Sequence, residues 1–417
     1  MSQGRSEQDR QDDEPRDRPD VSASSWLEAP HNRWSMWNVR KVAPTLPVSR
    51  GDGETRHLSL RPTNLDQITV VRAGGAKSTV REILDSTFTD AFAVAQDGAL
   101  VSEWYAPDGG PDRLHAVLSV TKSLVGCVAG LLIDHGAIAE HRRVADYLPE
   151  LGRSGYAEAT VRQLLDMRSG VRFREDYTDS SAEIREMDDW VLGDRGLYAF
   201  LATLEAERPH GGHFLYRSSE TDVLGWVCER VTGSRMPSLL SDLIWSPMGA
   251  GHDAEILCDG LGTAIHDGGF GATTRDLLRF AQLLLDGGTV PLAGGGVRNV
   301  VPAQWLRRSR QVDADIRRAF LDSPAEAAFP GGWYRNQFWF RSGPLGDVLL
   351  CLGIHGQLVY ACRRTRTVCV KLSSWPEAQN PSFLQDTLRA CDAVSGALTG
   401  RRSTGQARRL PGVVSGR

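Results

Sequence analysis

The segment LSVTKSLVGCVAGLLIDHG, residues 118–136, constrains the fold more than any other part of the chain. Its apolar residues recur every three or four positions, which predicts a helix with a broad buried face. Gly136 suits a left-handed stop at the end of that helix. Because a helix this apolar belongs in a domain interior, its polar first turn, Ser119 to Ser123, must face a cleft or water.

Ser119 and Lys122 lie three positions apart in that first turn, on one face of the predicted helix. A serine hydroxyl is a poor nucleophile at neutral pH unless a neighbouring base takes its proton. The pair therefore predicts a nucleophile with its base. The alternative is that Ser119 only caps the helix while Lys122 extends its amine to solvent, because Ser-x-x-Lys by itself is common by chance.

The overall composition predicts a soluble globular protein. At 417 residues the chain is long enough for one large domain or two ordinary ones. Hydrophobic residues make up 41% and charged residues 24%. A net charge of −4 without a basic patch argues against nucleic acid as a partner. The longest apolar stretches fall short of the ~20 residues that span a bilayer, so we expect no membrane association.

Cysteine usage and the first residues both indicate a cytoplasmic protein. The seven cysteines are scattered, odd in number and without C-x-x-C spacing, so we expect reduced thiols. Residues 1–20 hold eleven charged residues and no apolar core of a secretory signal. We therefore expect a disordered acidic tail over residues 1–24 and a flexible tail over residues 398–417, which are rich in Gly, Ser and Arg.

The order of strand and helix patterns predicts an α+β fold. Two alternating apolar runs flank Asp97-Gly98 within residues 90–105, which is a strong hairpin signal. Helical patterns follow over residues 159–171, 219–233 and 273–286. Runs of β-branched residues come after them. Strands at both ends predict one antiparallel sheet built from the N- and C-terminal segments, with a helical lobe over residues 119–265 and a cleft between them.

Two further segments carry groups suited to acyl chemistry. Tyr216, in GGHFLYRSSE, precedes a helix, and a tyrosine hydroxyl beside an ammonium can serve as a general base. His355, in GIHGQ, ends a strand, where a glycine-adjacent backbone N–H could stabilise an oxyanion. For Lys122 to act as a base its pKa must fall, and we expect burial beside Tyr216 and the apolar helix to lower it.

An ordered series of segments resembles the serine β-lactamase and penicillin-binding superfamily. The segments are SVTKSLVGCVAGLLIDHGAI, VADYLPEL, TVRQLLDMRSGV, YRSSETDVLGWVCERVTG, GGFGATTRDLLRFAQLLLDGG and GIHGQLVY. Over residues 25–395 the chain is similar to the class C-like branch, and within it to the 6-aminohexanoate-dimer, or nylon-oligomer, hydrolases. The resemblance implies a β-lactamase/transpeptidase-like domain over residues 25–397. It also implies a serine hydrolase that cleaves linear amide or ester bonds through an acyl-enzyme and uses no cofactor.

The resemblance also implies roles for individual residues. Ser119 would be the nucleophile and Lys122 the base that takes or relays its proton. Tyr216 resembles the tyrosine of the second family motif, Tyr-x-Asn, which passes the proton to the leaving group. The oxyanion hole would consist of the N–H of Ser119 and one near Gln357. Tyr177, in FREDYTD, resembles a loop tyrosine that closes over an amide substrate.

Two positions depart from the family pattern. Ser218 stands where Asn is usual in Tyr-x-Asn, so we expect its hydrogen-bonding role to be shorter or shared with water. His355-Gly356-Gln357 replaces the usual Lys-Thr-Gly, which removes a cation that would bind a β-lactam carboxylate. The departures therefore favour linear esters or amides over β-lactams as substrates.

Other interpretations concern metal binding, the pocket wall and the class of function. His210 and His213, in HGGH, lack a third ligand at metal-site spacing and are interpreted as turn residues, so no metal is expected. Trp333 and Trp339 are candidates for the wall of the substrate pocket, with a place in the core as the alternative. Three functions stay open: an amidase, a carboxylesterase, and a catalytically silent penicillin-binding-like binding module. The expected partner is a small-molecule amide or ester, and a homodimer is one option for the oligomeric state.

Overall fold

Strands lie at both ends of the chain, as the sequence predicts. A computed structural model describes residues 20–292 and 294–406, with the backbone alone over residues 400–406. Its strands are β1 (Thr45–Val48), β2 (Ser59–Leu60), β3 (Thr69–Val71), β4 (Lys77–Thr79), β5 (Thr89–Gln96), β6 (Ala99–Tyr105), β7 (His115–Ala116), β8 (Ala254–Leu257), β9 (Phe270–Ala272), β10 (Thr289–Pro291), β11 (Val297–Asn299), β12 (Trp333–Arg335), β13 (Phe338–Gly343), β14 (Gly346–Gly353), β15 (Gln357–Cys362) and β16 (Thr367–Ser373).

Most helices lie between the N-terminal and C-terminal groups of strands. They are α1 (Asn32–Ser35), α2 (Val80–Ser86), α3 (Thr121–Asp134), α4 (Val161–Leu165), α5 (Glu183–Leu192), α6 (Leu197–Leu201), α7 (Ser218–Thr232), α8 (Met236–Leu240), α9 (Thr274–Leu285), α10 (Ala303–Arg310), α11 (Ala314–Leu321), α12 (Ala325–Ala328) and α13 (Pro381–Gln406). Helices α3 to α8 fall within residues 119–265, the range predicted for the helical lobe, and α3, α4, α6 and α8 all pack against α7.

The large sheet joins the two ends of the chain. Its strand order is β12-β13-β14-β15-β16-β5-β6-β2, so the N-terminal hairpin β5–β6 pairs with the C-terminal strands through β16. Pairing is antiparallel from β12 to β6. The predicted α+β fold class is confirmed. One detail differs: the two-residue edge strand β2 pairs parallel to β6, because the chain returns to the sheet through α2 before it forms the hairpin.

The hairpin between β5 and β6 turns where the sequence predicts it. Asp97 and Gly98 have φ angles of +53° and +78°. Two successive positive φ angles are the requirement of the type I′ turn, whose twist matches that of the flanking strands.

Alternation along the central strands gives the sheet two apolar faces. On β5, Ala91, Ala93 and Ala95 pack in the cluster that contains α3 and α9. Phe92 and Val94 point the other way and pack with α13. The turn before α3 contacts β14 and β15, so the apolar helix of the sequence analysis begins at the sheet.

Two predicted helices are confirmed and one is shorter than predicted. Helix α7 ends at Gly233, which has a φ of +67° and supplies the left-handed stop, and α9 begins after the capping hydroxyl of Thr273. Helix α4 ends at Leu165, well before Gly170. The backbone leaves the helix at Met167, which has a φ of +56° and accepts a hydrogen bond from the N–H of Leu215 at 3.1 Å.

A second sheet was not predicted. It has the order β1-β8-β9-β7, and the connection between β8 and β9 carries Asp267. Its strands are two to four residues long, too short to give a clear period-two pattern in the sequence.

The predicted tails fall mostly outside the described residues. Residues 1–19 and 407–417 are not described, whereas α13 continues through Gln406, past the predicted tail boundary at residue 398. The seven cysteines are all buried and unpaired. Within the described ranges no helix combines the length and apolar character needed to cross a membrane.

Candidate active site

The segment that leads into α3 presents Ser119 and Lys122 to each other. Ser119 lies in a 3-10 turn, Leu118–Val120, that runs directly into the helix. Leu118 has a φ of +46°, a strained conformation for a bulky residue and one found mostly where function requires it. The Oγ of Ser119 and the Nζ of Lys122 are 2.7 Å apart. The structure thus brings the pair together and does not send the lysine to solvent.

The amine of Lys122 has three well-placed acceptors. It donates to the Oγ of Ser119, to the Oγ of Ser218 at 2.9 Å and to the carbonyl of Asp267 at 3.0 Å. The carboxylate of Asp267 lies 3.3 Å from the same nitrogen. Three acceptors match the three N–H groups of an ammonium, whereas a neutral amine has only two.

The expected fall in the pKa of Lys122 is wrong. Burial alone would lower this pKa, but Tyr216, Asp267 and further acidic groups raise it above the ordinary lysine value. The physical reason is that nearby negative charge favours the ammonium more than the apolar helix disfavours it. Lys122 is therefore charged at neutral pH and, as it stands, has no lone pair for the proton of Ser119.

A carboxylate absent from the sequence analysis completes this network. Glu175 accepts hydrogen bonds from the N–H and the hydroxyl of Ser218, both at 2.9 Å. It also accepts one from the hydroxyl of Tyr177 at 2.9 Å. Burial raises the pKa of Glu175, with Lys122 opposing that effect. Ser218 consequently links the lysine to a carboxyl group that binds a proton more readily than usual.

A second acidic pair lies behind Lys122. The N–H of Asp267 donates to the Oδ1 of Asp222 at 3.1 Å. Burial and the charge of Asp267 raise the pKa of Asp222 well above its ordinary value. Asp222 therefore binds a proton more readily than an ordinary aspartate, and Asp267 is the acidic side chain in direct contact with the ammonium of Lys122.

Tyr216 stands beside the Ser119–Lys122 pair. The Nζ of Lys122 lies 5.1 Å from the centroid of the tyrosine ring, which stacks on Trp339 at 5.2 Å. Burial raises the pKa of Tyr216 to about 12, and the ammonium of Lys122 prevents a larger rise. Tyr216 is thus a phenol at neutral pH and can donate a proton.

A buried ion pair fixes the backbone next to this tyrosine. Arg217 pairs with Glu220 at 3.1 Å, and both side chains are almost completely enclosed. Glu220 accepts a further hydrogen bond from the hydroxyl of Ser169 at 2.6 Å. The ion pair therefore fixes the backbone next to Tyr216, and the contacts of the tyrosine ring fix its side chain.

The His355-Gly356-Gln357 segment supports the cavity wall through its backbone. The N–H of His355 donates to the carbonyl of Ala378 at 2.8 Å, so it is not free to bind an oxyanion. Its ring nitrogen Nδ1 lies 2.7 Å from the carbonyl of Trp375. The expectation that His355 itself provides the oxyanion donor is corrected by these two contacts.

Local packing and hydrogen bonding account for the residue types at Gly356 and Gln357. Gly356 has a φ of +89°, and a Cβ there would lie 2.2 Å from the ring of Trp375. The Gln357 side chain exchanges hydrogen bonds with the backbone of Ser373, at 2.6 and 3.1 Å. At Gly353, a Cβ would lie 2.6 Å from the carbonyl of Val117, so the end of β14 approaches the nucleophile segment closely.

A cavity of about 660 Å³ opens from Ser119. Among the described residues that line it, Glu175 is the single charged side chain. The larger apolar side chains of its wall are Phe329, Trp339, Leu352, Ile354, Leu358 and Trp375. The volume is in the ordinary range for small-molecule sites. Lys371 is buried outside the cavity wall and donates to the carbonyl of Thr87 at 3.2 Å.

The structure separates the two tryptophan candidates. Trp339 lines the cavity, whereas Trp333 is a core residue that stacks on Phe340 and donates its indole N–H to the carbonyl of Ser309 at 3.0 Å. The expectation that Trp333 binds substrate is therefore corrected. Tyr177 is half-buried, and its hydroxyl donates to Glu175. Tyr177 is therefore connected to the site through that carboxylate.

The two histidines of the HGGH segment lie in different environments. His210 bonds through Nδ1 to the carbonyl of Ser169, and His213 is exposed. In the part of the chain that the structure describes, no three His, Cys, Asp or Glu side chains are arranged to hold a metal ion.

Sequence reasoning missed Glu175, Asp267 and Asp222. Glu175 and Tyr177 lie two positions apart in FREDYTD, a loop in which the tyrosine alone was predicted to act. Asp267 begins the glycine-rich DGGFGA segment. A buried lysine requires compensating charge, so acidic residues in loops beside the predicted cleft were the available signal.

The fold and the site together define a class of protein, a serine hydrolase with a Ser-x-x-Lys pair and a tyrosine. These residues lie between the large sheet and the helical lobe of the α+β fold. A family model described as Beta-lactamase matches residues 76–391. The 6-aminohexanoate-dimer hydrolase of Paenarthrobacter ureafaciens is 38% identical over 387 residues, which cover 89% of this chain and 94% of that protein. The chain belongs to the β-lactamase family of serine hydrolases, whose members act on amides and esters.

Two solved structures show the same fold. A Bacillus anthracis protein, provisionally assigned as a 6-aminohexanoate-dimer hydrolase, has a TM-score of 0.77 at 23% identity and covers 94% of this chain and 98% of its own. A family VIII carboxylesterase has a TM-score of 0.56 at 20% identity, with 75% of this chain and 96% of its own covered.

Proposed function

We propose that the chain hydrolyses linear amides or esters through an acyl-enzyme on Ser119. The 2.7 Å contact between Ser119 and Lys122 at the end of the cavity is the observation that carries this proposal. A serine in that position is activated only if its proton has a route to a base. The network around Lys122 supplies one.

Glu175 is the proposed final acceptor of that proton. Lys122 passes a proton to the Oγ of Ser218, and Ser218 passes its own to Glu175 across 2.9 Å contacts. The amine, now neutral, rotates and takes the proton of Ser119, whose oxygen forms a bond to the substrate carbonyl carbon. The carbonyl π-electrons move to the carbonyl oxygen of the substrate. The negative charge that Glu175 carried at the start is therefore now on that oxyanion.

Tyr216 is the proposed acid for the leaving group. Because its pKa is about 12, it carries its proton at neutral pH. As the C–N or C–O bond breaks, the leaving atom takes the phenolic proton, and Lys122 restores it with the proton from Ser119. Water then attacks the acyl group, its proton passes through Lys122 to the released Ser119, and Glu175 returns the borrowed proton to Lys122.

The proposed oxyanion donors are backbone N–H groups. One is that of Ser119, and the other comes from the cavity-lining segment 353–357, excluding His355, whose N–H is occupied. The close approach of Gly353 to Val117 supports this placement, because it brings the strand end next to the nucleophile.

The cavity wall supports substrates with an apolar part and no anionic group inside the cavity. Among the described residues that line the cavity, an anion there would meet Glu175 and no cationic side chain. The linear amide named in the P. ureafaciens relative is the first candidate substrate class, on 38% identity. Esters are the second, because the apolar wall fits an uncharged acyl or alcohol group. The unpaired cysteines support a reducing compartment, and we propose the cytoplasm.

The test of the nucleophile is Ser119→Ala, with Ser123→Ala as the matched control on the same helix. Ser123 donates to the carbonyl of Gln337 and is outside the network. A fluorophosphonate probe should label the wild type and Ser123→Ala but not Ser119→Ala. Undiminished labelling of Ser119→Ala would remove the nucleophile assignment.

A substrate panel tests the proposed class. We expect turnover of p-nitrophenyl butyrate and of the linear 6-aminohexanoate dimer, whose carboxylate is separated from the scissile amide by a chain of methylene groups. We expect little turnover of a β-lactam whose carboxylate lies next to the scissile bond and would enter the cavity beside Glu175. Failure of all three, together with absence of probe labelling, would favour a binding module over an enzyme.

A further inference from the structure

A second cavity, of about 540 Å³, lies away from Ser119 and is lined by arginines. Helix α10 contributes Arg307 and Arg310, and the turn between β15 and β16 contributes Arg363 and Arg366. We name it the arginine cavity. The two pairs come from elements far apart in sequence, and each pair has a spacing of three, which suits one face of a helix or turn.

Asp286 is the one carboxylate among the described residues of the wall, and it is already neutralised. Asp286 pairs with Arg366 at 2.6 Å and with Arg56 at 2.9 Å. Arg366 also pairs with Asp97 at 3.4 Å. The arginine cavity therefore cannot draw on Asp286 to balance its other cations.

The other three guanidinium groups have no carboxylate partner in the part of the chain that the structure describes. Arg310 donates to the carbonyls of Leu306 and Leu284, at 3.1 and 3.4 Å. Over the described ranges, neither Arg307 nor Arg363 makes a side-chain hydrogen bond or ion pair. Burial and the charge of Arg363 lower the pKa of Arg310 to about 10. Three like charges thus share one concave wall without compensation.

We propose that the arginine cavity binds a small molecule that carries phosphoryl groups. A guanidinium offers paired N–H donors that match phosphate oxygens. A phosphoryl group carries about −1.5 to −2 charge, against −1 for a carboxylate, and so balances three cations with fewer groups. The cavity has room for a group much larger than one phosphate, within the ~300–1,000 Å³ of typical ligand sites.

The probe for this proposal is inorganic pyrophosphate, added to the full-length protein at constant ionic strength. We expect a saturable rise in Tm and a heat of binding by calorimetry. Arg307→Ala/Arg363→Ala should weaken binding at least tenfold. Arg153→Ala/Arg389→Ala is the control, because it removes the same charge from exposed positions outside the cavity.

Without pyrophosphate, Arg307→Ala/Arg363→Ala should melt no lower than the wild type, because it relieves repulsion, and this also confirms that the variant folds. Citrate tests the carboxylate alternative. The proposal is overturned if pyrophosphate gives no saturable shift, if both double variants lose binding equally, or if citrate binds at least as tightly.

Discussion

Replacing Glu175 by glutamine tests the proton route at its far end. The amide has nearly the same volume and keeps an oxygen that can accept from the hydroxyls of Ser218 and Tyr177. It cannot accept a proton from Ser218 at neutral pH, so Lys122 stays an ammonium. Glu175→Gln should therefore impair acylation while it leaves the site assembled.

The expected loss is large in rate and small in stability. Positioned acid–base groups contribute about 10²–10⁴-fold, or roughly 3–5 kcal/mol of activation free energy. Against this, Glu175 accepts three hydrogen bonds, and the amide leaves the backbone N–H of Ser218 facing an NH₂ group. That mismatch costs about 1–3 kcal/mol of folding free energy, and the removal of a buried charge offsets part of it.

The assay is the pH dependence of kcat/KM for p-nitrophenyl butyrate, together with Tm. Because burial raises the pKa of Glu175, the acidic limb of the wild-type profile should lie above the ordinary carboxyl value of 4.5. In Glu175→Gln that limb should disappear along with at least 99% of the rate. Asp176→Asn removes a charge from the next residue, which is exposed, and serves as the control. A variant that keeps a tenth of the activity, or keeps the limb, would refute the route.

Three further predictions concern the loop, the fold and the substrate. Gly356→Ala should lower Tm and ester turnover, since its Cβ would lie 2.2 Å from the Trp375 ring, whereas Gly74→Ala, in open space, should not. Burial lowers the pKa of His266 to about 3, so stability that is full above pH 6.5 should fall by about 1.4 kcal/mol per unit as pH drops toward 3. Urea titrations at pH 7, 6 and 5 measure that slope, and His266→Gln should flatten it. Tyr177→Phe should reduce amide turnover more than ester turnover, and equal losses would exclude a specific role with amides.

Much of the fold could be predicted because its signals are local. The type I′ hairpin at Asp97-Gly98 and the left-handed stop at Gly233 each depend on a few adjacent residues. The length of α4 could not be predicted in this way. It ends early because the carbonyl of Met167 pairs with Leu215, a contact between segments almost fifty residues apart.

The candidate site also combines features that follow from local sequence with features that depend on distant segments. Ser119 and Lys122 share one helical turn, so their contact follows from spacing alone. The pKa of Lys122 does not, because its direction depends on charges from three other segments. Burial was read correctly from the apolar helix, but the sign of the shift required Glu175 and Asp267 to be placed. A buried lysine in a sequence thus predicts a perturbed pKa without predicting its direction.

Ser218 and Glu175, the carboxylate that sequence analysis did not predict, act together in the proposed proton route. Asparagine, usual at this position of Tyr-x-Asn, accepts through its oxygen and donates through its nitrogen, so it cannot receive and release a proton at one atom. The single oxygen of Ser218 accepts from Lys122 and donates to Glu175, both at 2.9 Å. Ser218→Asn should therefore keep Lys122 hydrogen-bonded but break the route to Glu175, and it should reproduce the flattened pH profile of Glu175→Gln. If Ser218→Asn instead retained the acidic limb, the proton of Lys122 would not pass through Ser218 to Glu175, and the proposed route would be refuted.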